Sequence, residues 1–281
     1  MKEAIKNILK KVNLYYLIQG LYRNLLFSLF VLSNRIKYSR HKDSGYTCNF
    51  CNHQYKIFVP RYASEEDTPA LEKYQVIGGD GENVYCPYCG STCRERFVLQ
   101  VLKEKVDCIN KKILHLSPEK KIFDFLKTKS TVITADVEPG FYKLIDKNVL
   151  YADATALPFD SEMFDIVIAN HIMEHIPEDS KAMKEIFRVL KPKGKAILQI
   201  PFSEVIPHTI ENPFISDPQK QSALFGQKDH VRIYKIDDYL NRLSKSGFTV
   251  NYIKPESLTM WQKYALQPRE GFIECIKAKK D

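Results

Sequence analysis

Two pairs of cysteines have the spacing that most clearly predicts chemistry in this sequence. Cys48 with Cys51, and Cys86 with Cys89, each have the spacing C-x-x-C. Two sulfurs at this spacing can lie on one side of a tight turn, and two such turns supply the four thiolates of a tetrahedral zinc site. Four thiolates leave no open coordination position for water. The sequence therefore predicts a structural zinc ion in a zinc ribbon.

The surroundings of the two pairs leave alternatives open. The intervening segment is longer than the about 15–20 residues common in such zinc motifs, so we expect a loop excursion between the turns. His53 and Cys93 are alternative ligands, and four unrelated buried cysteines are the alternative to a metal site. The chain has seven cysteines, and an odd number with paired spacing favours metal-binding thiolates over disulfides. Thiolates in turn favour a reducing, cytoplasmic setting.

A second group of polar residues follows two short apolar runs. Val149–Tyr151 ends ahead of Asp153. Phe164–Ala169 ends at Asn170 and His171. Both runs are rich in Val, Ile or aromatic residues and too short for helices, so we expect two buried strands. Polar groups at the carboxyl ends of parallel strands mark the ligand crevice of an open α/β sheet.

Alternating helices and strands would position these polar residues. Apolar residues at three- and four-residue steps predict helices, and short runs rich in Val and Ile predict strands. The predicted helices are 94–111, 120–126, one that opens at Pro177 and ends at Pro192 and Gly194, and 235–246. The other predicted strands are 113–116, 132–135, 196–200, 250–253 and 272–277. This order implies an α/β fold with a Rossmann-like, doubly wound, mostly parallel sheet.

The sequence predicts three parts of the chain. Residues 1–43 form a basic amphipathic arm, residues 44–93 the zinc ribbon, and residues 94–281 the Rossmann-like domain. Within that domain, residues 202–233 are predicted to be a loop-like insertion. An insertion of this length beside a strand end suits a lid or a substrate loop.

The segment from Ile113 to Pro201 resembles the class I S-adenosylmethionine-dependent methyltransferases, in particular the type 11 group. The strongest match is DATALPF at 153–159, followed by FDIV at 164–167 and EHI at 174–176. The run LKPKGK at 190–195 is similar to the turn before the fifth strand of that family. Each motif alone is weak, whereas the combination is specific.

The resemblance implies a site for S-adenosylmethionine. Asp136 would accept hydrogen bonds from both ribose hydroxyls, which suits a carboxylate because its two oxygens only accept. Asp153 would accept from the adenine amino group, with Ala154 beside it. Asn170 and His171 would lie near the sulfonium and the methionine part. The alternative for the two aspartates is a turn or cap role.

The first loop departs from the family pattern. The family has a glycine-rich loop after the first strand, where the backbone approaches the cofactor. Here that loop is His115–Lys120, and Ser117 and Glu119 stand at the expected glycine positions. Either Glu119 contacts the cofactor amino group through a charge pair, or cofactor binding is lost.

Three histidines are candidate bases for methyl transfer. Transfer from a sulfonium is an in-line displacement in which the enzyme mainly positions the acceptor, and a hydroxyl acceptor also needs a base. His171, His175 and His230 are the candidates, since imidazole titrates near neutral pH. His175 is equally well a structural residue. Arg232 could hold an anionic acceptor such as a phosphate or carboxylate.

The charge distribution and the motifs are compatible with three alternative functions. The first is a methyltransferase acting on a small-molecule or glycan-type acceptor. The second is a catalytically inactive scaffold in which the zinc ribbon and the arm bind a partner. The third is an RNA methyltransferase. The net charge is +8, and residues 1–43 carry +7 of it. Residues 44–281 are therefore near +1, and a nucleic-acid-binding groove in that part of the chain is not favoured.

The N-terminal arm combines lysines with an apolar, aromatic stretch from Val12 to Leu32. Arg23 interrupts this stretch and no cleavage site follows, so neither a signal peptide nor a spanning helix is favoured. We expect either a helix docked on protein or an amphipathic helix on the inner, anionic face of a membrane. In the second case the inserted side chains would be Leu25, Leu26, Phe27, Leu29 and Phe30. The sequence predicts no oligomeric state.

Overall fold

The structure, a computed structural model, describes residues 14–278. Its N-terminal part is a long helix followed by two small hairpins and a second long helix. In chain order these elements are α1 (Leu14–Lys37), β1 (Lys42–Thr47), β2 (Gln54–Tyr55), β3 (Val59–Arg61), α2 (Thr68–Lys73), β4 (Gly81–Tyr85) and α3 (Cys93–Glu104). Strand β1 pairs antiparallel with β2, and β3 with β4. The basic residues of 1–13 lie outside the described residues.

The rest of the chain forms one seven-stranded sheet and a smaller one. The elements are β5 (Lys112–Leu116), α4 (Lys120–Leu126), β6 (Thr131–Asp136), β7 (Leu150–Tyr151), β8 (Phe164–Ile168), α5 (Asp179–Val189), β9 (Leu190–Ile197), β10 (Phe202–Ser203), β11 (Ile210–Glu211), α6 (Pro218–Phe225), β12 (Arg232–Lys235), α7 (Ile236–Lys245), β13 (Phe248–Ile253) and β14 (Phe272–Lys277). The large sheet has the order β13-β14-β9-β8-β5-β6-β7, and only β14 runs antiparallel to its neighbours. The predicted fold class is confirmed.

The two central strands explain why helices cover both faces of this sheet. Successive side chains of a strand point to opposite faces. Ile113 and Ile166 therefore belong to the core shared with α3 and α4, while Leu114 and Val167 belong to the core shared with α5 and α7. All four side chains are almost fully buried. Strands without a polar face need helices on both sides, which is the doubly wound arrangement.

The predicted buried strand at Val149–Tyr151 is wrong in one respect. Val149 is buried, but Leu150 and Tyr151 are 45% and 63% exposed. Among residues 14–278, strand β7 is an outermost strand of the sheet and pairs only with β6. An apolar run cannot by itself show whether its strand lies in the middle of a sheet or at its edge.

Two predicted element ends are also wrong. Helix α3 ends at Glu104, several residues before the predicted end at 111. Strand β9 begins at Leu190, so Pro192 and Gly194 lie inside this strand and not at the end of a helix. The pairing of β9 with β8 is shifted between Phe164 and Ile166, and Lys193 has a φ of 64°. This irregularity accommodates a proline and a glycine that a regular strand would exclude.

The insertion 202–233 is not a loop, contrary to the prediction. It contains helix α6 and, with β12, a three-stranded sheet of order β10-β12-β11. Ile206, Phe225 and Ile233 form its small buried core. Strands of two residues are too short to produce a readable pattern of alternation. Phe202 also exchanges two backbone hydrogen bonds with Ile77, which ties the insertion to the segment between the cysteine pairs.

One side of helix α1 packs against both the segment after β6 and strand β4. Tyr16 lies edge-on against Phe141, with ring centroids 4.9 Å apart, and Phe30 lies edge-on against Tyr85 at 5.3 Å. The opposite side of α1 is a row of exposed apolar side chains. Within residues 14–278, no helix has both the length and the apolar character needed to cross a membrane.

Candidate functional site

A cavity of about 530 Å³ opens at the carboxyl ends of β5, β6 and β8. This is the edge where the chain order of the sheet reverses, since β6 and β8 flank β5 on opposite sides. The volume is within the range of small-molecule sites. The lining residues are Leu116, Ser117, Asp136, Val137, Tyr142, Ala152, Asp153, Ala154, Thr155, His171, Ile172, His175, Ile176, Pro177, Glu178 and Asp229.

Four of the six predicted cofactor residues line this cavity. They are Ser117, Asp136, Asp153 and Ala154, which come from three different strand ends. The sequence separation between them is large, and the parallel sheet brings them together because its carboxyl ends share one edge.

Asp136 is held in place by two hydrogen bonds of 2.6 Å. Its Oδ2 accepts from the Ser117 hydroxyl, and its Oδ1 accepts from the Glu138 amide. Each carboxylate oxygen has two acceptor positions, so a second donor such as a ribose hydroxyl can still be accommodated. Asp136 is therefore oriented toward the cavity without being saturated.

Ser117 adopts the backbone conformation that a glycine would favour at this position. Its φ is 46°, in the left-handed region, which costs a residue with a Cβ about 1–2 kcal/mol. The loop thus keeps the path of a glycine-containing loop, and the hydroxyl gained in exchange binds Asp136.

Asp153 serves as a turn residue and lines the cavity as well. Its Oδ1 accepts from both the amide and the hydroxyl of Thr155, each at 2.8 Å. The turn interpretation and the cofactor interpretation are compatible, because one carboxylate oxygen closes the turn and the other is left for a ligand.

The remaining two predicted cofactor residues, Glu119 and Asn170, do not line the cavity. The Glu119 carboxylate is 3.2 Å from Nε2 of His115 and accepts from Nδ2 of Asn170 at 3.2 Å. Burial alone would raise the pKa of Glu119, but these two partners and nearby His171 hold it below its usual value. Glu119 is thus an anion that supports the strand ends through other side chains.

The three predicted histidines differ in their access to the cavity. His171 and His175 line it, whereas His230 is buried behind His175, with ring centroids 4.7 Å apart and nearly perpendicular planes. Burial lowers the pKa of His171, as does the charge of Arg94. Burial also lowers the pKa of His230, to about 4. Both rings are therefore neutral near pH 7.

Arg232 is not available to bind an acceptor, contrary to the prediction. Its side chain is 1% exposed and donates to Glu211 at 3.0 Å. The other donors go to backbone carbonyls, namely those of Met173, Ile176 and Pro177. A guanidinium committed in this way stabilises the 173–177 turn, and no sequence pattern indicates these partners.

Several cavity residues were not predicted. Tyr142 follows β6 by six positions, and burial raises the pKa of its hydroxyl to about 12. Thr155 closes the Asp153 turn, and Asp229 comes from the insertion. The DATALPF motif contains Thr155 and could have indicated it. Tyr142 and Asp229 lie outside any motif, so only the fold places them here.

The four cysteines of the two C-x-x-C motifs form one cluster, with all sulfurs within 4.8 Å of one another. The Sγ atoms of Cys48 and Cys89 are 3.7 Å apart, and those of Cys51 and Cys86 are 3.8 Å apart. A tetrahedron with zinc–sulfur bonds of about 2.3 Å has edges of about 3.8 Å. The cluster therefore has the dimensions of a zinc site and not of two disulfides.

Two equivalent turns build this cluster. In the first, Asn52 donates its amide to the carbonyl of Cys48, and in the second Gly90 donates to the carbonyl of Cys86, each at 2.8 Å. Asn52 and Gly90 both have positive φ, at 60° and 68°. Asn and Gly tolerate this conformation best, which explains their presence at matching positions.

The alternative zinc ligands take other roles. His53 stacks on Tyr88 with ring centroids 3.3 Å apart, and its Nδ1 is 2.9 Å from the Cys51 carbonyl. Cys93 is buried at the start of α3. Neither residue belongs to the cluster of four sulfurs found among the described residues.

Part of the large sheet is similar to a known protein family. Residues 120–198 match a family model described as "Methyltransferase domain". The part of the chain that carries α4 and strands β6 to β9 therefore matches a methyltransferase domain. The match begins at α4 and ends just after β9, so the matched region includes Asp136, Asp153 and His171.

Curated relatives of the methyltransferase domain align over short segments. The sterol 4-C-methyltransferase of Caenorhabditis elegans is 44% identical over 50 residues, or 18% of this chain and 15% of that protein. The demethylmenaquinone methyltransferase of Clavibacter sepedonicus is 41% identical over 75 residues, or 24% of this chain and 31% of that protein. The chain thus spans less than a third of the length of these relatives.

A solved structure is similar over a longer stretch. The S-adenosylmethionine-dependent methyltransferase from Mesorhizobium loti has a TM-score of 0.46 and 15% sequence identity. The similarity covers 63% of this chain and 96% of that protein.

Proposed function

We propose that this protein is an S-adenosylmethionine-dependent methyltransferase with a small-molecule or glycan-type acceptor. The observation that carries the proposal is that Asp136 and Asp153 line one cavity at the switch point of a methyltransferase-type sheet. The relatives named above methylate small molecules according to their names, which agrees with this acceptor class.

The residues of the cavity fit the donor set that this cofactor requires. Asp136 would hold the ribose hydroxyls, and Asp153 with Ala154 would hold the adenine. Ser117 would keep Asp136 oriented through its 2.6 Å hydrogen bond. When bound, the cofactor supplies an electrophilic methyl group on a sulfonium.

His171 is the residue that we propose as the base for a hydroxyl acceptor. It lines the cavity and burial lowers its pKa, so the ring is neutral and able to accept a proton at pH 7. His175 also lines the cavity and is the second candidate. His230 does not line it and is not proposed as a base.

The inactive scaffold and the RNA methyltransferase are supported by fewer observations. The hypothesis of an inactive scaffold depended on the missing glycines of the first loop. Ser117, however, has the positive φ that a glycine would favour there. An RNA substrate would require a basic surface, whereas residues 44–281 have a net charge near +1 because the N-terminal arm carries +7 of the total +8.

Calorimetric titration with S-adenosylmethionine tests the proposal, followed by transfer of a labelled methyl group to an extract of small molecules and glycans. We expect one cofactor per chain, and we expect His171→Ala to bind it normally while label transfer falls about 100-fold or more. His208→Ala, at an exposed position of the insertion, is the matched control. Absence of cofactor binding would refute the proposal, and undiminished transfer by His171→Ala would refute the role of His171.

We also propose that the four-cysteine cluster holds a structural zinc ion. The sulfur separations of 3.7 and 3.8 Å support it, as does the 3.1 Å contact of Cys48 Sγ with the Ser91 hydroxyl. Because the metal would join the two cysteine turns, its binding should contribute to the stability of the two hairpins.

Elemental analysis of purified protein tests the zinc proposal. Cys51→Ser should contain one zinc fewer per chain than the wild type and should melt at a lower temperature. Cys108→Ser, which changes a buried cysteine outside the cluster, should keep its zinc. Equal zinc content in wild type and Cys51→Ser would contradict the proposal.

We propose that α1 binds an anionic membrane surface through its outer side. Large apolar side chains there are about half exposed, including Leu25, Leu29 and Leu32. The helix contains Arg23, Arg35 and Lys37 and no acidic residue. Exposed apolar surface beside cations fits anionic headgroups.

Co-sedimentation with phosphatidylglycerol vesicles tests this membrane proposal. The double variant Leu25→Glu, Leu29→Glu should bind at least tenfold more weakly, since two apolar side chains no longer enter the membrane. Ile109→Glu, at an equally exposed site away from α1, should bind normally. Equal sedimentation of the double variant and the wild type would refute the proposal.

A further inference from the structure

Three side chains beside the cavity form a second cluster with metal-ligating chemistry. Ligand atoms of Glu174, His175 and His230 all lie within 4.8 Å of one another. Glu174 and His230 are buried, and His175 is partly exposed at the cavity wall. Two imidazoles and one carboxylate are a donor set that binds Zn²⁺ and related divalent transition metals while leaving coordination positions open.

The buried carboxylate of Glu174 lacks the partners that such a group normally has. The residue is 1% exposed, and its Oε2 has no hydrogen-bond partner among residues 14–278. Its Oε1 lies 3.6 Å from Nδ1 of His171, which is also without a hydrogen bond in that range. Buried carboxylates are usually paired or bound to a metal, so this oxygen has a lone pair available for a cation.

The surrounding residues orient the His175 imidazole as in known metal sites and place His230 beside it. The Asp229 carbonyl is 3.1 Å from Nδ1 of His175, where it can accept the Nδ1 proton and leave the Nε2 lone pair for a ligand. Histidine ligands commonly donate their second nitrogen to a backbone carbonyl in this way. The amide of Val231 donates to the Glu174 carbonyl at 2.9 Å, which fixes the neighbouring His230 beside the 173–175 turn.

Arg232 explains how two distant segments are held together at this cluster. Its guanidinium binds the carbonyls of Met173, Ile176 and Pro177, on both sides of His175. Arg232 follows His230 by two residues, so the same contacts bring His230 to the turn. A buried cation committed to three carbonyls positions the cluster and does not bind substrate.

We propose that Glu174, His175 and His230 bind a divalent transition metal such as Zn²⁺, with an open position facing the cavity. If methyl transfer takes place as proposed above, this position would select acceptors with a hydroxyl or carboxylate oxygen. A metal would lower the pKa of a coordinated hydroxyl, and the proton would pass to His171. The oxygen would then form its bond to the methyl carbon as the carbon–sulfur bond of the sulfonium breaks, with that electron pair staying on sulfur. The metal-binding statement itself does not depend on methyl transfer.

Calorimetric titration of ZnCl₂ into full-length protein whose cysteine cluster already holds zinc tests the proposal. We expect one further Zn²⁺ per chain in the wild type. His175→Gln should weaken this binding at least about 100-fold, and the double variant His175→Gln, His230→Gln should abolish it. His175→Gln changes a side chain that is 31% exposed, so it should fold even if the double variant does not.

The control is His208→Gln, an exposed histidine in the same insertion, which should bind zinc like the wild type. The proposal is overturned if the wild type takes up no further Zn²⁺, or if His175→Gln binds it as tightly as the wild type. No S-adenosylmethionine is present in this titration. A failure of the proposed methyl transfer would therefore leave its result unchanged.

Discussion

Asp136→Asn should weaken S-adenosylmethionine binding by about 10- to 150-fold while the protein stays folded. The substitution preserves shape, so the hydrogen bond from the Glu138 amide can remain. The loss arises because a charged acceptor shared by two hydroxyls becomes a neutral one, and hydrogen bonds to charged groups contribute about 1.5–3 kcal/mol. Calorimetry on the wild type and the variant measures the ratio of dissociation constants.

Asp146→Asn is the matched control for Asp136→Asn. Asp146 accepts from Thr134 at 2.7 Å and from the Asn148 amide at 3.0 Å, and it does not line the cavity. The Asp146→Asn variant removes one negative charge from the same part of the sheet. It therefore measures any general electrostatic effect on the binding of a cationic ligand. Equal affinities of wild type and Asp136→Asn for the cofactor would place the ribose elsewhere.

Arg96→Lys should lower the free energy of unfolding by at least about 2 kcal/mol. Arg96 is fully buried in α3, and its five N–H groups donate to five backbone carbonyls at 2.8–3.1 Å. The carbonyls are those of Asn83, Val84, Ser91, Tyr264 and Ala265. The guanidinium therefore connects the second cysteine turn with the segment that precedes β14.

A lysine cannot replace this contact network. Its ammonium has three donors at one point, so at least two of the five buried carbonyls lose their partner, at about 1–3 kcal/mol each. Urea unfolding followed by circular dichroism measures the change. Arg269→Lys, at a half-exposed surface position, should change stability by no more than about 0.5 kcal/mol. A similarly small effect of Arg96→Lys would contradict the interpretation of Arg96 as a structural link.

The local patterns of the sequence were sufficient for the parts of this protein that depend on neighbours in the chain. The C-x-x-C pairs predicted four clustered sulfurs, since each pair is closed by its own turn. Alternating strands and helices predicted the sheet, because the connection rules for parallel strands leave few topologies. Asp136 and Asp153 were identified from strand ends and a family motif, which are both local signals.

Tertiary structure alone decided which polar side chains share a site. The sequence predicted that Arg232 could hold an anionic acceptor, but its partners include carbonyls more than fifty residues away. The insertion folds into a small sheet that carries His230 to Glu174, and two-residue strands leave no periodicity to read. Sequence patterns record what lies within a few residues, whereas burial and the pairing of charges depend on segments that meet only after the chain has folded.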